Sequence, residues 1–573
     1  MATSPLLVNA CIGTLIAVIA LRAVAFLADT WKKRSLMKRL SKQGKPMPPF
    51  NMAMGHLLAA KAAADDLPPE AHSVYILNWL AKKYAPNGAY YVDFTPMAWP
   101  MLVVTDPHLA TQVIEHPIVG ANKPEELYAW FHPITNGQSL FTQNGAAWKH
   151  DRDYFLPFFS NQNLDASVPF VVGQMSIFRD KLREKAAGQG SSGSGSDLFV
   201  LEPLILSMMN DIIGKLVLNA DLGTQHGSHP LATTMLRQLR LKFAVNNPLD
   251  NLGNFNPVKV FNLWNNSRML DNHIKSQIDA RLQAWRSEKT HDEQNGFKSL
   301  LDVALDSYMG RTSGASPTPR DNVSAAFSQT LCAQMRMFFF AGYDSTASTM
   351  AYCCYTAWQH PEVLRKMRAE HDHVFGRNVD SAMEAIGANP AILNSLPYTT
   401  AVVKETMRLF PAANGIRHGH RDLVLRDGRG NEFPTEGCSV QMLHYAIQRD
   451  PKTWARPLEF LPERFLVEAG HELYPAAKGA WRPFEYGPRL CTGQQLVMKE
   501  VKAFLVLLAR EFDIRECYGE ADGDRDRDRD RKKVDLTHVD FEKAHLVEAG
   551  AAHPRANFPC RVSPSGYHAS TST

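Results

Sequence analysis

Cys491 has the surroundings that most invite chemistry. It lies in Trp481-Arg482-Pro483-Phe484-Glu485-Tyr486-Gly487-Pro488-Arg489-Leu490-Cys491-Thr492-Gly493, a turn leading into an apolar helix expected near Gln494. A thiolate there meets backbone N–H groups and the positive end of that helix, and both lower a thiol pKa. Gly487 and Gly493 allow tight backbone beside a flat ligand, and Arg489 is placed to pair with a carboxylate of that ligand. A lone cysteine is more often a buried, inert thiol, and on these residues alone both readings stand.

Other constellations lie upstream. Ala341-Gly342-Tyr343-Asp344-Ser345-Thr346 sits inside a long helical pattern. An acid followed by two hydroxyls weakens a helix interior, because Ser and Thr compete for backbone hydrogen bonds, and such local conflicts collect at functional sites. Glu405 and Arg408, spaced i, i+3, share a helix face. Trp148 and Arg152, spaced i, i+4, do the same. Taken singly, the Glu–Arg pair reads as a surface ion pair.

Phe484, Gly487, Arg489, Cys491 and Gly493 together form Phe-x-x-Gly-x-Arg-x-Cys-x-Gly, which matches the haem-binding loop of the cytochrome P450 family. The resemblance extends over roughly residues 50–560, with four motifs in the family's order. It implies that Cys491 is the axial thiolate of haem b iron, with Phe484, Arg489 and Gly493 in the cofactor site. The stretch 341–346 resembles the oxygen-activation motif, with Asp344 relaying protons. Ser345 stands where threonine is usual, with Thr346 as a substitute hydroxyl. Glu405 and Arg408, with Arg464 in Phe460-Leu461-Pro462-Glu463-Arg464-Phe465, resemble the family's structural triad. Trp148 and Arg152 fit its Trp-x-x-x-Arg helix and would hold haem propionates. Arg417, His418 and above all His420 are further propionate candidates. Val497 departs from the alanine common after the haem loop.

These residues need a mainly α fold with a small β-region to position them. Helical periodicity is strongest over 323–358, 361–375, 396–410 and 494–512. Tyr90–Phe94 and Met101–Val104 read as a β-pair, closed by the Thr105-Asp106-Pro107 turn. Three low-complexity stretches, 188–196, 311–322 and 524–531, read as surface connectors rather than domain boundaries.

The chain has 573 residues, 45% of them hydrophobic and 21% charged, which excludes disorder and a many-span transporter. Eight cysteines at no regular spacing make no disulfide framework. The net charge of +4 is local: residues 28–45 hold seven Lys/Arg against Asp29, so the rest of the chain is slightly acidic. That distribution argues against a nucleic-acid partner. Leu6–Leu27 is dominated by Leu, Ile, Val and Ala, interrupted by Asn9 and Arg22. At about 1.5 Å per residue it is long enough for a transmembrane helix, and the following charges leave the body on the cytosolic side.

The expected organisation is a membrane anchor over 1–30, a basic and Pro-rich linker over 31–50, and a haem-thiolate monooxygenase domain over 51–573. The expected location is the endoplasmic reticulum membrane, single-pass. The Asn-X-Ser sequons at Asn265 and Asn322 are then chance matches. No flavin- or NADPH-binding region is apparent, so the resemblance implies electrons from NADPH through a separate reductase, with cytochrome b5 as a second candidate donor. The substrate class implied is an apolar small molecule, hydroxylated, epoxidised or oxidatively rearranged. The style of the chain resembles fungal enzymes that tailor polyketide- or terpenoid-like secondary metabolites. Two alternatives are a haem-thiolate isomerase or dehydratase independent of external electrons, and a non-catalytic haem-binding membrane protein.

Overall fold

The computed structural model describes residues 5–188, 196–243, 256–287, 296–308, 324–525, 536–540 and 542–567. Most of each low-complexity stretch, and Asn322 with them, lies outside the described residues.

A helix rich in apolar residues on every side belongs in a core, and Ala325–Gln359 is such a helix. Ser324 caps it, its hydroxyl accepting from Phe327 N at 3.1 Å. Glu202–Leu218 crosses it, while Asn161–Ala187 and Gln494–Ala509 pack together alongside. The helix expected over 494–512 stops at Ala509, because Phe512–Glu516 leaves to pair with Pro559–Pro564 in a small antiparallel sheet. Pro361–Phe375 and Pro397–Leu409 each begin with proline, whose missing N–H costs nothing in a first turn.

The main sheet has four strands in the order Ala89–Val92, Met101–Val104, Ser439–Met442, Gly415–His418. Only the central pairing, Met101–Val104 with Ser439–Met442, is parallel. Asp106 begins the next helix rather than ending a turn, its side chain accepting from Leu109 N at 2.9 Å. A short hairpin, Leu546–Glu548 with Ala552–Pro554, lies against the central helix.

The amino-terminal region differs from expectation. Pro5–Lys42 is one continuous helix, so the basic part of the expected linker, 31–42, is helical. Arg34, Met37 and Leu40, spaced by three, share a face and are buried. Arg34 Nη1 lies 2.6 Å from Asp93 Oδ2, and Nη2 donates to Thr95 O at 2.7 Å. The transmembrane helix expected over Leu6–Leu27 finds no support. Among the described residues no helix is long and apolar enough to cross a membrane. Charges enter the helix from Arg22 onward, and the side chains of residues 5–12 lie outside the described set.

Arg34 and Asp93 are both nearly devoid of exposed surface, so removing one partner strands a buried charge. Asp93→Ala should destabilise the protein by about 3–5 kcal/mol, read by denaturant unfolding. Lys61→Ala, which breaks an exposed pair with Asp65, should cost under about 1 kcal/mol.

Candidate haem-binding and oxygen-activation site

The Cys491 loop is fastened at both ends. Cys491 N donates to Phe484 O at 2.9 Å, closing the turn, and Phe484 is buried beneath it. Gly487 has φ +73°, and a Cβ there would stand 2.3 Å from Ile114 Cγ2, so the position requires glycine. At the start of the loop, Trp481 Nε1 donates to Lys404 O at 3.0 Å and Arg482 N donates to the Gln448 side chain at 2.7 Å.

Cys491 is the one cysteine among the described residues that is not buried. Protein atoms nevertheless crowd around the thiol. The thiol pKa is raised, contrary to the sequence expectation. Burial pushes it up, and the hydrogen bonds from the backbone of Gly493 and Gln494 only partly pull it down. A thiolate held here therefore calls for a cation beyond those N–H groups, as metal coordination supplies.

Opposite lies a stripe on the central helix. Between Leu331 and Ala357 every residue is buried except Phe338, Ala341, Gly342 and Ser345, which follow one helix face at i, i+3, i+4 and i+7. The Phe338 ring lies 6.0 Å from that of Phe159, and a Cβ on Gly493 would stand 4.0 Å from the same Phe159 ring. The stripe and the cysteine loop thus border a common region.

Three of the expected cofactor residues come together. The Arg489 guanidinium lies 4.1 Å from the Trp148 ring and that of Arg152 lies 5.9 Å from it. Arg489 donates to the carbonyls of Ala121 at 2.5 Å, Leu140 at 3.2 Å and Gln143 at 2.5 Å, and to Asn144 Oδ1 at 3.1 Å. All these acceptors are neutral. Burial, and secondarily the nearby Arg417, pull its pKa down to about 9. Arg152 Nε is buried with no hydrogen-bond partner among the described residues, while its Nη1 lies 3.7 Å from Asp153 Oδ1 on the more open side. Lys123, also buried, has its amine 4.9 Å from the Phe141 ring, and burial holds its pKa well below the usual range. Arg489 and Lys123, neither paired with an acid among the described residues, fit a flat group bearing carboxylates beside the exposed cysteine.

His420 does not join them. It is half-buried, its Nδ1 accepts from Asp422 N at 3.2 Å, and its carbonyl accepts from the Thr435 hydroxyl at 2.9 Å. His418 is exposed, whereas Arg417 is buried and lies 2.5 Å from Glu485 Oε2. Lys123 and Glu485 are the residues a motif search passes over, whereas Arg417 is among the propionate candidates. Lys123 sits in Asn122-Lys123-Pro124, which carries no motif, but Glu485 lies inside the cysteine loop at φ +62°. Such a conformation is uncommon for a side-chain-bearing residue, so tertiary contacts must hold it there. Those contacts are Arg417, His444 Nε2 at 3.2 Å and Arg482 at 3.9 Å.

In the oxygen-activation stretch, Ser345 Oγ donates to Ala341 O at 2.9 Å and faces the accessible stripe. Thr346 is buried, and its hydroxyl has no partner among the described residues. Asp344 is buried, and its Oδ2 accepts from Ala551 N at 2.6 Å. Away from the site, Glu405 accepts from Arg408 at 2.7 and 2.8 Å and from Arg464 at 3.0 Å, with no exposed side-chain surface on any of the three.

Fold and site now define the class. The family model described as Cytochrome P450 matches residues 46–534. The chain is 34% identical to the cytochrome P450 monooxygenase polC of Polytolypa hystricis, over 95% of this chain and 94% of that one. It is 30% identical to the cytochrome P450 monooxygenase acrF of Aspergillus aculeatus, over 80% and 90%. The fold matches the crystal structure of a cytochrome P450DA heme domain at TM-score 0.66, with 20% identity, covering 91% of this chain and 98% of that one. The chain belongs to the cytochrome P450 family, and it is an oxidoreductase of the monooxygenase type whose cofactor is thiolate-ligated haem iron.

Burial raises the Glu485 pKa, but Arg417, then His444 and Lys123, lower it more, to about 2. A depressed carboxyl contributes stability above its unfolded value, and that stability is lost as pH falls through the folded value. Acid unfolding between about pH 4.5 and 2 should therefore be shallower in Glu485→Gln. At neutral pH the variant should be about 3–5 kcal/mol less stable, because Arg417 is stranded.

Proposed function

We propose that this chain binds haem through Cys491 and inserts one atom of dioxygen into an apolar small molecule, in a fungal secondary-metabolite pathway of polyketide or terpenoid type. The observation that carries the reading is the accessible Cys491 sulfur bordering the same region as the Phe338–Ala341–Ser345 stripe. When bound, haem supplies dioxygen activation with electrons drawn from NADPH through a separate reductase.

The chain's own residues do the rest. The Cys491 thiolate is the iron ligand, and Phe484 and Gly493 shape its turn. Arg489, Arg152 and Lys123, with Trp148 stacked beneath Arg489, hold the haem carboxylates. Ser345 offers a hydroxyl on the accessible face and passes a proton inward, and Asp344, one residue earlier, is its source. Thr346 points into packed protein and serves the relay less well than Ser345. Glu405, Arg408 and Arg464 brace the loop without touching the chemistry. Retention of both acid and hydroxyl favours oxygenation over an electron-independent isomerisation. Phe338 and Ala341 give the substrate side an apolar wall, in keeping with an apolar substrate.

Attachment to the endoplasmic reticulum membrane is part of the same reading. Its support is the exposed apolar flank of Pro5–Lys42, with Leu21, Val24, Phe26, Leu27 and Trp31 open to their surroundings.

The reduced, carbon monoxide-bound protein should show the red-shifted Soret band of thiolate-ligated haem, and Cys491→Ser should lose it. Persistence of the band in that variant rules out Cys491 as the ligand. Ser345→Ala should keep the band but slow the proton-dependent step by about 10²-fold. The measurement is the yield of hydrogen peroxide per NADPH consumed, which should rise.

A further inference from the structure

Asp344 is the end of a buried ionic chain. His553, in the strand Ala552–Pro554, places Nδ1 2.6 Å from Glu202 Oε1 and Nε2 3.3 Å from Asp344 Oδ1. All three side chains are almost wholly buried. Glu202 comes from the first turn of Glu202–Leu218 and Asp344 from the middle of the central helix, so one imidazole joins three separate elements. The Glu202 contact is an aligned hydrogen bond, whereas the contact with Asp344 is an ionic approach without that alignment.

The hairpin turn reinforces the grip on Asp344. Ala551 N donates to Asp344 Oδ2 at 2.6 Å, and Ser348 Oγ, one turn further along the helix, donates to Ala552 O at 2.5 Å. Gly550, at φ +130°, lets the turn pass so close that a Cβ would stand 2.6 Å from Asp344 Oδ2. The carboxylate is thereby engaged by the 549–551 turn and His553, while the Ser345 hydroxyl bonds to its own helix.

Two buried carboxylates cannot stay ionised side by side without a cation between them. Burial lowers the His553 pKa, but Glu202 and then Asp344 raise it further, well above its ordinary value. Other titratable groups within electrostatic reach of this chain are His72 toward His553, Tyr352 and Tyr518 toward Glu202, and Tyr343 toward Asp344. Glu548 lies beyond His72.

We propose that His553 is a positioning residue for Asp344: its imidazole, anchored by Glu202, holds the Asp344 carboxylate against the 549–551 turn and so governs when that carboxyl serves the Ser345 hydroxyl. The proposal rests on the oxygenation reading above. It differs from it in assigning control of the relay to the carboxy-terminal hairpin. Glu202 and His553 act oppositely on Asp344. Without His553 the carboxylate keeps only the Ala551 N–H among the described residues and leaves the turn more readily. Without the Glu202 charge the imidazolium has Asp344 as its one anionic contact among the described residues and holds it more tightly.

The test needs no known substrate. With reductase and NADPH, full-length enzyme reduces dioxygen either to hydrogen peroxide, using one NADPH per dioxygen, or to water, using two. Only the second route requires cleavage of the O–O bond, which depends on delivered protons. In His553→Gln the pH at which the two routes are equal should move up by about one unit, and in Glu202→Gln it should move down by about one unit, a tenfold change in proton concentration each.

A second readout is independent of turnover. A raised histidine pKa contributes stability that is present below the unfolded value and is lost as pH rises through the folded value. Thermal unfolding temperature should therefore fall from about pH 6.5 upward in the wild type and be flatter in His553→Gln. Lower unfolding temperatures in both variants with unmoved stoichiometry profiles, or profiles moving the same way, overturn the proposal. Where His553→Gln fails to fold, the direction of the Glu202→Gln shift decides alone. A wild type without the red-shifted carbon monoxide band overturns the oxygenation reading instead, and the unfolding profile still reports whether His553 is held as proposed.

Discussion

One carboxylate, Glu405, serves two guanidinium groups where none of the three side chains has any exposed surface. Arg408 and Arg464 together exceed its charge, so backbone oxygens must take the remaining donors. Arg408 reaches the carbonyls of Gln448, Pro457 and Glu459, and Arg464 reaches those of Ala455 and Arg456. The irregular 448–459 segment is thereby wound around the cluster. Gln448 carries the constraint onward, its amide donating to Met407 and Arg408 carbonyls and accepting from Arg482 N. From Arg482 the chain enters the cysteine loop. The position of Cys491 therefore depends on a charge cluster that never touches it.

The cysteine loop adds a second buried charge problem. Lys123, Arg417, Arg482 and Arg489 converge near it, and Glu485 is the acid that faces Arg417 and Arg482. Glu485 balances the inner cations, while Arg489 is left with neutral acceptors and Arg152 Nε with none. An excess of buried positive charge costs stability in the protein alone and is relieved by an anionic cofactor, as expected of a site built for a ligand rather than for rigidity. The central helix makes a comparable trade. Ser345 and Thr346 give up helix propensity, and the hairpin at 549–552 compensates by gripping the helix at Asp344 and Ser348.

Much of this was legible in the residues themselves. Periodicity located the four helices at 325–359, 361–375, 397–409 and 494–509 to within a few residues, because each carries long apolar repeats and the first three have proline or a hydroxyl at their start. The β-pair at 89–104 was equally plain. The amino-terminal helix was misjudged: its transmembrane reading finds no support among the described residues, and beyond Leu27 a run of lysines and arginines reads as a solvated collar. In the fold Arg34 turns inward to Asp93, a partner 59 residues away. His420 was misplaced for a related reason: its neighbour Asp422 engages it locally, and the inward position falls to Arg417.

The sequence by itself determined which residues can do chemistry. The spacing of Phe484, Gly487, Arg489, Cys491 and Gly493, and of Asp344 with Ser345, is a property of single turns and helices, where neighbours in the chain are neighbours in space. Only the tertiary structure decided what surrounds them. The rise of the Cys491 pKa, the recruitment of Lys123 and Glu485, and the coupling of Asp344 to His553 and Glu202 all arise from elements far apart in the chain. Electrostatic energies in an interior depend on distance and burial, and neither is encoded in any local spacing.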